Sequence, residues 1–138
     1  MGNIKREIKS AQAYQRTLKR AVSCSGVGLH SGEQSSITLE PGLQDSGIIF
    51  ERTDVDKDKA IIPASWDMVV DTRFCTTIGN EFGVSVSTVE HLMAALAGCG
   101  VDNALIRING PEVPIMDGSS GPFVFLIECA GLVALDSP

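Results

Sequence analysis

Ser87-Thr88-Val89-Glu90-His91-Leu92-Met93-Ala94-Ala95-Leu96-Ala97-Gly98 is the stretch whose reading decides the fold. Val89, Leu92, Met93, Leu96 and Ala97 recur at intervals of three and four residues, which puts them on one face of an α-helix. Gly98 and Gly100 end that helix, because glycine accepts the left-handed backbone that closes a helix C-terminus. Upstream of Ser87 the period is different. Residues 18–24 alternate loosely, and Gly26-Val27-Gly28-Leu29-His30-Ser31-Gly32 holds three glycines in which the chain can reverse. Residues 36–39 and 48–50 are β-branched and aliphatic, and Pro41-Gly42 and Ser46-Gly47 separate them like the loop of a hairpin. Ile61-Ile62-Pro63 reads as a short edge strand, since proline cannot donate to a central ladder. Residues 72–78 and 84–86 flank a turn at 79–83 as a second hairpin.

Downstream of the helix, residues 103–108 alternate again as a strand, 111–118 form a loop, and 123–132 read as a closing amphipathic helix. The expected fold class is α+β: a two-layer sandwich, its sheet mostly antiparallel or mixed, with two helices packed on one face. Residues 1–13 are polar and aperiodic and read as a flexible lead-in, leaving 14–138 as one domain. A chain of 138 residues with 43% hydrophobic content can bury a single core.

A net charge of −6 argues against nucleic acid, whose phosphate backbone selects clustered Lys and Arg. Lys5, Arg6, Lys9, Arg16, Lys19 and Arg20 form the one basic cluster; it is either a solvated start of the chain or a contact for a diphosphate or an anionic surface. No apolar run reaches the roughly 18 residues that span a bilayer, and the first residues lack the apolar centre of a signal peptide. A cytoplasmic location is expected. Cys24, Cys75, Cys99 and Cys129 contain no C-x-x-C pair, so reduced and mostly buried thiols are expected rather than a disulfide framework.

His30 and His91 are the only histidines. His91 follows Glu90, which sets an acid beside a possible metal ligand in the first turn of the helix. In metal hydrolases a neutral imidazole holds zinc and a nearby carboxylate takes the proton from water. Ser87-x-x-Glu90 is equally a capping box, in which the glutamate bonds a backbone N–H and needs no chemistry. Three protein ligands make the usual catalytic zinc site, and no H-E-x-x-H pair is present. Cys75 adds a thiolate only if it lies near His91; otherwise it is a small hydrophobe in a strand. Asp117 and Ser119, in Pro114-Ile115-Met116-Asp117-Gly118-Ser119-Ser120, either cap the last helix or help its N-terminus meet an anion.

Six segments stand in one order along residues 15–134: QRTLKR, SGVGLHSG, DTRFCTTI, STVEHLMAALAG, VDNALI and GPEVPIMDGSSGPFV. In that order they resemble the UDP-3-O-acyl-N-acetylglucosamine deacetylase family of Gram-negative bacteria, enzymes of lipid A synthesis. The resemblance implies a zinc-dependent hydrolysis that removes the N-acetyl group from UDP-3-O-(3-hydroxyacyl)-N-acetylglucosamine. Glu90 matches the family's general base and His91 its first zinc ligand. Cys75 matches a cysteine near the metal that is not a ligand, and His30 matches a residue bordering the substrate cleft.

Family members are considerably longer, and their second half supplies a His-x-x-x-Asp pair of zinc ligands, a catalytic histidine, a substrate-binding lysine and the acyl passage. The chain is therefore expected to be the N-terminal domain, inactive alone. A missing second domain of like fold would pack on its helix layer, and exposure of that face predicts self-association. The alternative reading is a free-standing sugar-nucleotide-binding or regulatory module that keeps the fold without catalysis.

Overall fold

A computed structural model of the protein describes residues 14–138. The expected lead-in at 1–13, with Lys5, Arg6 and Lys9, lies outside the described residues.

Strands β1 (Arg16–Leu18), β2 (Val22–Val27) and β3 (Gln34–Pro41) come first, followed by β4 (Ile48–Arg52) and β5 (Ile61–Pro63). Next are β6 (Val69–Asp71), β7 (Thr77–Gly79) and β8 (Ser85–Ser87), then helix α1 (Glu90–Gly98). Strand β9 (Ala104–Ile108), helix α2 (Gly121–Ala130) and strand β10 (Leu132–Ala134) complete the order. The main sheet runs β2-β3-β9-β4-β5, with β9 antiparallel to β3 and parallel to β4. Strands β6, β7 and β8 form a small antiparallel sheet, and β1 pairs with β10. This is the α+β two-layer sandwich expected from the sequence, with a mixed sheet and two helices on one face.

Alternation makes the main sheet one-sided. Leu39 lies opposite Ile106, Ile106 opposite Phe50, and Phe50 opposite Ile62, all four fully buried. Each such side chain contributes roughly 1.5–3 kcal/mol by leaving water. Arg107, between two buried isoleucines of β9, is instead half exposed and pairs with Glu40 at 2.7 Å. Leu92, Ala95 and Leu96 of α1 and Phe123, Ile127 and Ala130 of α2 complete the core at helical spacing. Helix α1 closes as the glycine pattern requires: Gly100 has φ 76°, its N–H donates to Ala97 O, and Val101 N–H donates to Leu96 O at 2.9 Å.

Several local readings need correction. Strands β3 and β4 are not a hairpin, because β9 lies between them. The connection must cross two inter-strand spacings of about 4.8 Å each. It passes so close to the start of β9 that a Cβ on Gly42 would stand 2.6 Å from Ala104 N. Asn103 fastens it, accepting Gly47 N–H at 2.9 Å through Oδ1. Helix α1 begins at Glu90 rather than Ser87, since Ser87 ends β8. Leu132 belongs to β10, after Gly131 ends α2. Of residues 72–78 only the last two are strand, and β6 precedes them. The cysteines are free, but Cys24, Cys75 and Cys99 are only half-buried and Cys129 is exposed.

Candidate active site

The entrance to α1 is built by three segments brought together from distant parts of the chain. Ser87 N–H donates to Pro111 O at 2.7 Å and Val113 N–H donates to Ser87 O at 3.0 Å, so the 111–113 segment runs beside the end of β8. Thr88 then adopts φ 60°, a left-handed conformation uncommon for a β-branched residue. This kink directs the chain from β8 into α1. The capping-box alternative does not hold: Val89 is the N-cap, with no side-chain cap bond, and Ser87 Oγ bonds Thr77 Oγ1 at 3.0 Å.

Glu90 is instead held by the residue just before β7. Its Oε2 accepts Thr76 N–H at 2.9 Å, and Val89 N–H donates to Thr76 O at 3.3 Å. Cys75, immediately before Thr76, is half-buried with Sγ 3.8 Å from Thr77 Oγ1. Phe74 beside it is 84% exposed. An apolar hollow of about 360 Å³, lined by Thr72, Thr76, Val89, Met93, Ala64 and Val69, opens beside this anchor.

His91 is half-buried on the first turn of α1. The Ser119 hydroxyl, at 2.6 Å from Asp117 Oδ1, and then the Ser119 N–H hold the Asp117 carboxyl below its ordinary range. Ser119 Oγ also accepts Gly121 N–H at 3.2 Å, but the N-cap of α2 is Ser120, with no side-chain cap bond, so the expected capping by Asp117 or Ser119 is not what the structure shows.

His30 is exposed on the turn joining β2 to β3. Its backbone N–H donates to Glu112 Oε1 and Oε2 at 3.1 and 3.2 Å, and Ser31 N–H donates to Oε1 at 2.8 Å. The same carboxylate accepts the Thr88 hydroxyl at 2.5 Å through Oε2. Of the four residues singled out from sequence, Glu90 and His91 share a helical turn and Cys75 adjoins the anchor of Glu90. His30 connects to the entrance of α1 through Glu112.

Glu112 and Thr88 were missed by sequence reasoning. The available signal was a lone glutamate in the otherwise apolar Pro111-Glu112-Val113-Pro114-Ile115. Its partners stand 24 to 82 residues away, beyond any local pattern.

The sequence model of the UDP-3-O-acyl N-acetylglycosamine deacetylase family matches residues 15–138. The chain belongs to this family. It is 52% identical over 124 residues to a UDP-3-O-acyl-N-acetylglucosamine deacetylase of Vibrio cholerae serotype O1, covering 90% of this chain and 40% of the relative. A protein of the same description from Idiomarina loihiensis is 54% identical over 118 residues, 86% of this chain and 38% of the relative. One from Photobacterium profundum is 49% identical over 124 residues, with 90% and 40% covered. The chain thus spans about 40% of the length of these curated relatives.

Among the described residues of this family member, no three His, Cys, Asp or Glu side chains stand close enough together to hold a metal ion. Among the described residues, no helix is long and apolar enough to cross a membrane.

Proposed function

We propose that the chain is the N-terminal domain, residues 14–138, of a zinc-dependent deacetylase, with Glu90 as general base and His91 as one zinc ligand. The substrate of this reading is UDP-3-O-(3-hydroxyacyl)-N-acetylglucosamine, a nucleotide sugar of lipid A synthesis handled in the cytoplasm. The single observation that carries it is the Thr76 N–H bond to Glu90 at the first turn of α1. That bond orients a carboxylate beside His91 without using it up as a helix cap.

Zinc, when bound, would lower the pKa of its water towards neutrality and would polarise a carbonyl. This chain's own share is smaller and definite. Glu90 would take the proton as water adds to the acetyl carbon, and a proton must pass to the nitrogen as the C–N bond breaks, giving acetate and a free amine. The Thr76 N–H keeps the carboxylate aimed while the proton is held. His30 and Cys75 border the sugar-nucleotide cleft, on the turn and on the strand approach that flank the helix entrance.

This reading assigns the remaining ligands to another segment of a longer protein, and the 40% coverage of its relatives supports it. The groove between α1 and α2, lined by Ala94, Gly98, Val124, Ile127 and Leu132, is where that second domain would pack. Left open, the same apolar face would favour self-association.

Calorimetric zinc titration tests this reading, with the chain alone and then mixed with the segment that follows it in the gene. The expected result is weak binding alone, with tight binding and acetate release only in the mixture, both abolished by His91→Ala. Tight binding by the chain alone, unaffected by His91→Ala, would overturn the ligand assignment.

A further inference from the structure

Glu112 carries a carboxylate that the chemistry above does not use, and it is only 3% exposed. Among the described residues no Lys, Arg or His forms an ion pair with it. A buried charge of this kind is tolerated only where hydrogen bonds replace its water. Here they are backbone N–H groups of His30 and Ser31 and the hydroxyl of Thr88. Its backbone carbonyl is also engaged, accepting Ser35 Oγ–H at 2.9 Å. The site is closely fitted: a Cβ on Gly28 would stand 2.3 Å from Glu112 Oε1. A side chain at that position would require the carboxylate and the Ser31 hydroxyl to shift.

The location of the donors is informative. His30 and Ser31 belong to the β2–β3 turn, and Thr88 stands two residues before Glu90 in a strained left-handed conformation. Side-chain donors and backbone donors from these two segments converge on one carboxylate, and each segment carries a residue of the proposed site. Uncommon backbone conformations of this sort persist where surrounding contacts over-determine them.

We propose that Glu112 is a positioning residue that locks the His30 turn to the entrance of α1, and so sets His30 relative to Glu90 and His91. What those three residues do rests on the function proposed above; the coupling between the two segments does not. The Glu112 carboxylate is engaged by the turn backbone and by the Thr88 hydroxyl. It acts through Thr88 on one side and through the turn backbone on the other.

The test uses the full 138-residue chain with amide resonances followed by two-dimensional NMR. Thr88→Val removes one hydroxyl on the helix side and leaves the carboxylate and the turn untouched. The expected result is that His30 and Ser31 amides shift together with Glu90 and His91, while Ile61 and Ile62 at the far edge of the sheet do not. Thr88→Ser, which keeps the hydroxyl, should restore the wild-type positions. Glu112→Gln should shift the same two groups, and if it fails to fold the Thr88 pair still decides. Shifts confined to residues 86–91 in Thr88→Val would overturn the proposal.

A kinetic arm separates this from the functional reading. In the enzyme with its metal site complete, Thr88→Val should lower kcat about tenfold or more with KM little changed, because misplaced groups weaken the chemical step more than binding. Thr88→Ser should recover it. An unchanged kcat in Thr88→Val would overturn the positioning role. Absence of deacetylation in the unmutated enzyme would sink the functional reading while the NMR coupling stands.

Discussion

Along the row Leu39, Ile106, Phe50 and Ile62 every side chain is apolar and fully buried, whereas at the entrance to α1 two polar residues, Thr88 and Glu112, are buried as well. The first region is held by area removed from water, which has no preferred direction. The second is held by bonds that work only at one distance and angle. A sheet core of this kind tolerates a change of shape if volume is kept. A buried carboxylate with three donors loses about 1–3 kcal/mol when a partner is removed. The difference suits what each region does: one keeps the layers together, and the other holds two site-bearing segments in register.

The largest expected effect on stability is in the apolar row. Phe50→Ala should destabilise the chain by about 3–5 kcal/mol, while Phe50→Leu should cost well under half of that. Urea unfolding of both variants measures it. A loss below about 1 kcal/mol for Phe50→Ala would show that the sheet centre is not the packed row described.

Glu112→Gln should come next. The amide cannot accept from all three donors and presents N–H groups to N–H groups, so a loss of about 1–3 kcal/mol is expected at neutral pH. This variant also carries a pH signature. Burial alone would raise the Glu112 carboxyl, but the Thr88 hydroxyl and the Ser31 and His30 N–H groups outweigh it, and the carboxyl lies below its ordinary 4.5. A depressed carboxyl contributes stability that is present above its unfolded value and lost as pH falls through its folded value. Wild-type stability should therefore decline as pH drops below 4.5. The gap between wild type and Glu112→Gln should narrow over the same window, and a gap constant down to acid unfolding would mean that the carboxylate is not held as described.

Arg107→Ala should have the smallest effect. Its pairs with Glu40 at 2.7 Å and Glu51 at 3.8 Å lie on the outer face with the guanidinium about half exposed. Exposed pairs of this sort contribute about 0–1 kcal/mol and are screened by salt. A larger loss by the same urea measurement would make the outer face a second polar clamp and blur the contrast with Glu112.

Legibility followed the same division. Helix α1 was readable because its apolar residues face one layer, and Gly100 was readable as its stop because φ 76° is a glycine conformation. The edge position of β5 followed from Pro63. The β3–β4 hairpin was misread because Pro41-Gly42 and Ser46-Gly47 announce a turn but not what the turn encloses. Nothing near residue 42 in sequence signals that β9, more than 60 positions later, occupies the space between the two strands. Glu90 and His91 stood out because acid and imidazole were adjacent. Glu112 did not, because its donors are distant in sequence and two of them are backbone groups.

The sequence by itself determined the secondary elements that repeat at short range, the one-sided apolar pattern that makes two layers, and the motifs by which the chain belongs to its family. Those signals lie within a few residues of one another, where periodicity and backbone preference operate. Tertiary structure alone decided the strand order, the anchoring of Glu90 by Thr76, and the convergence of His30, Ser31 and Thr88 on Glu112. The physical reason is that a buried polar group must find its partners in space, and folding selects them from whatever parts of the chain can be brought within bonding distance.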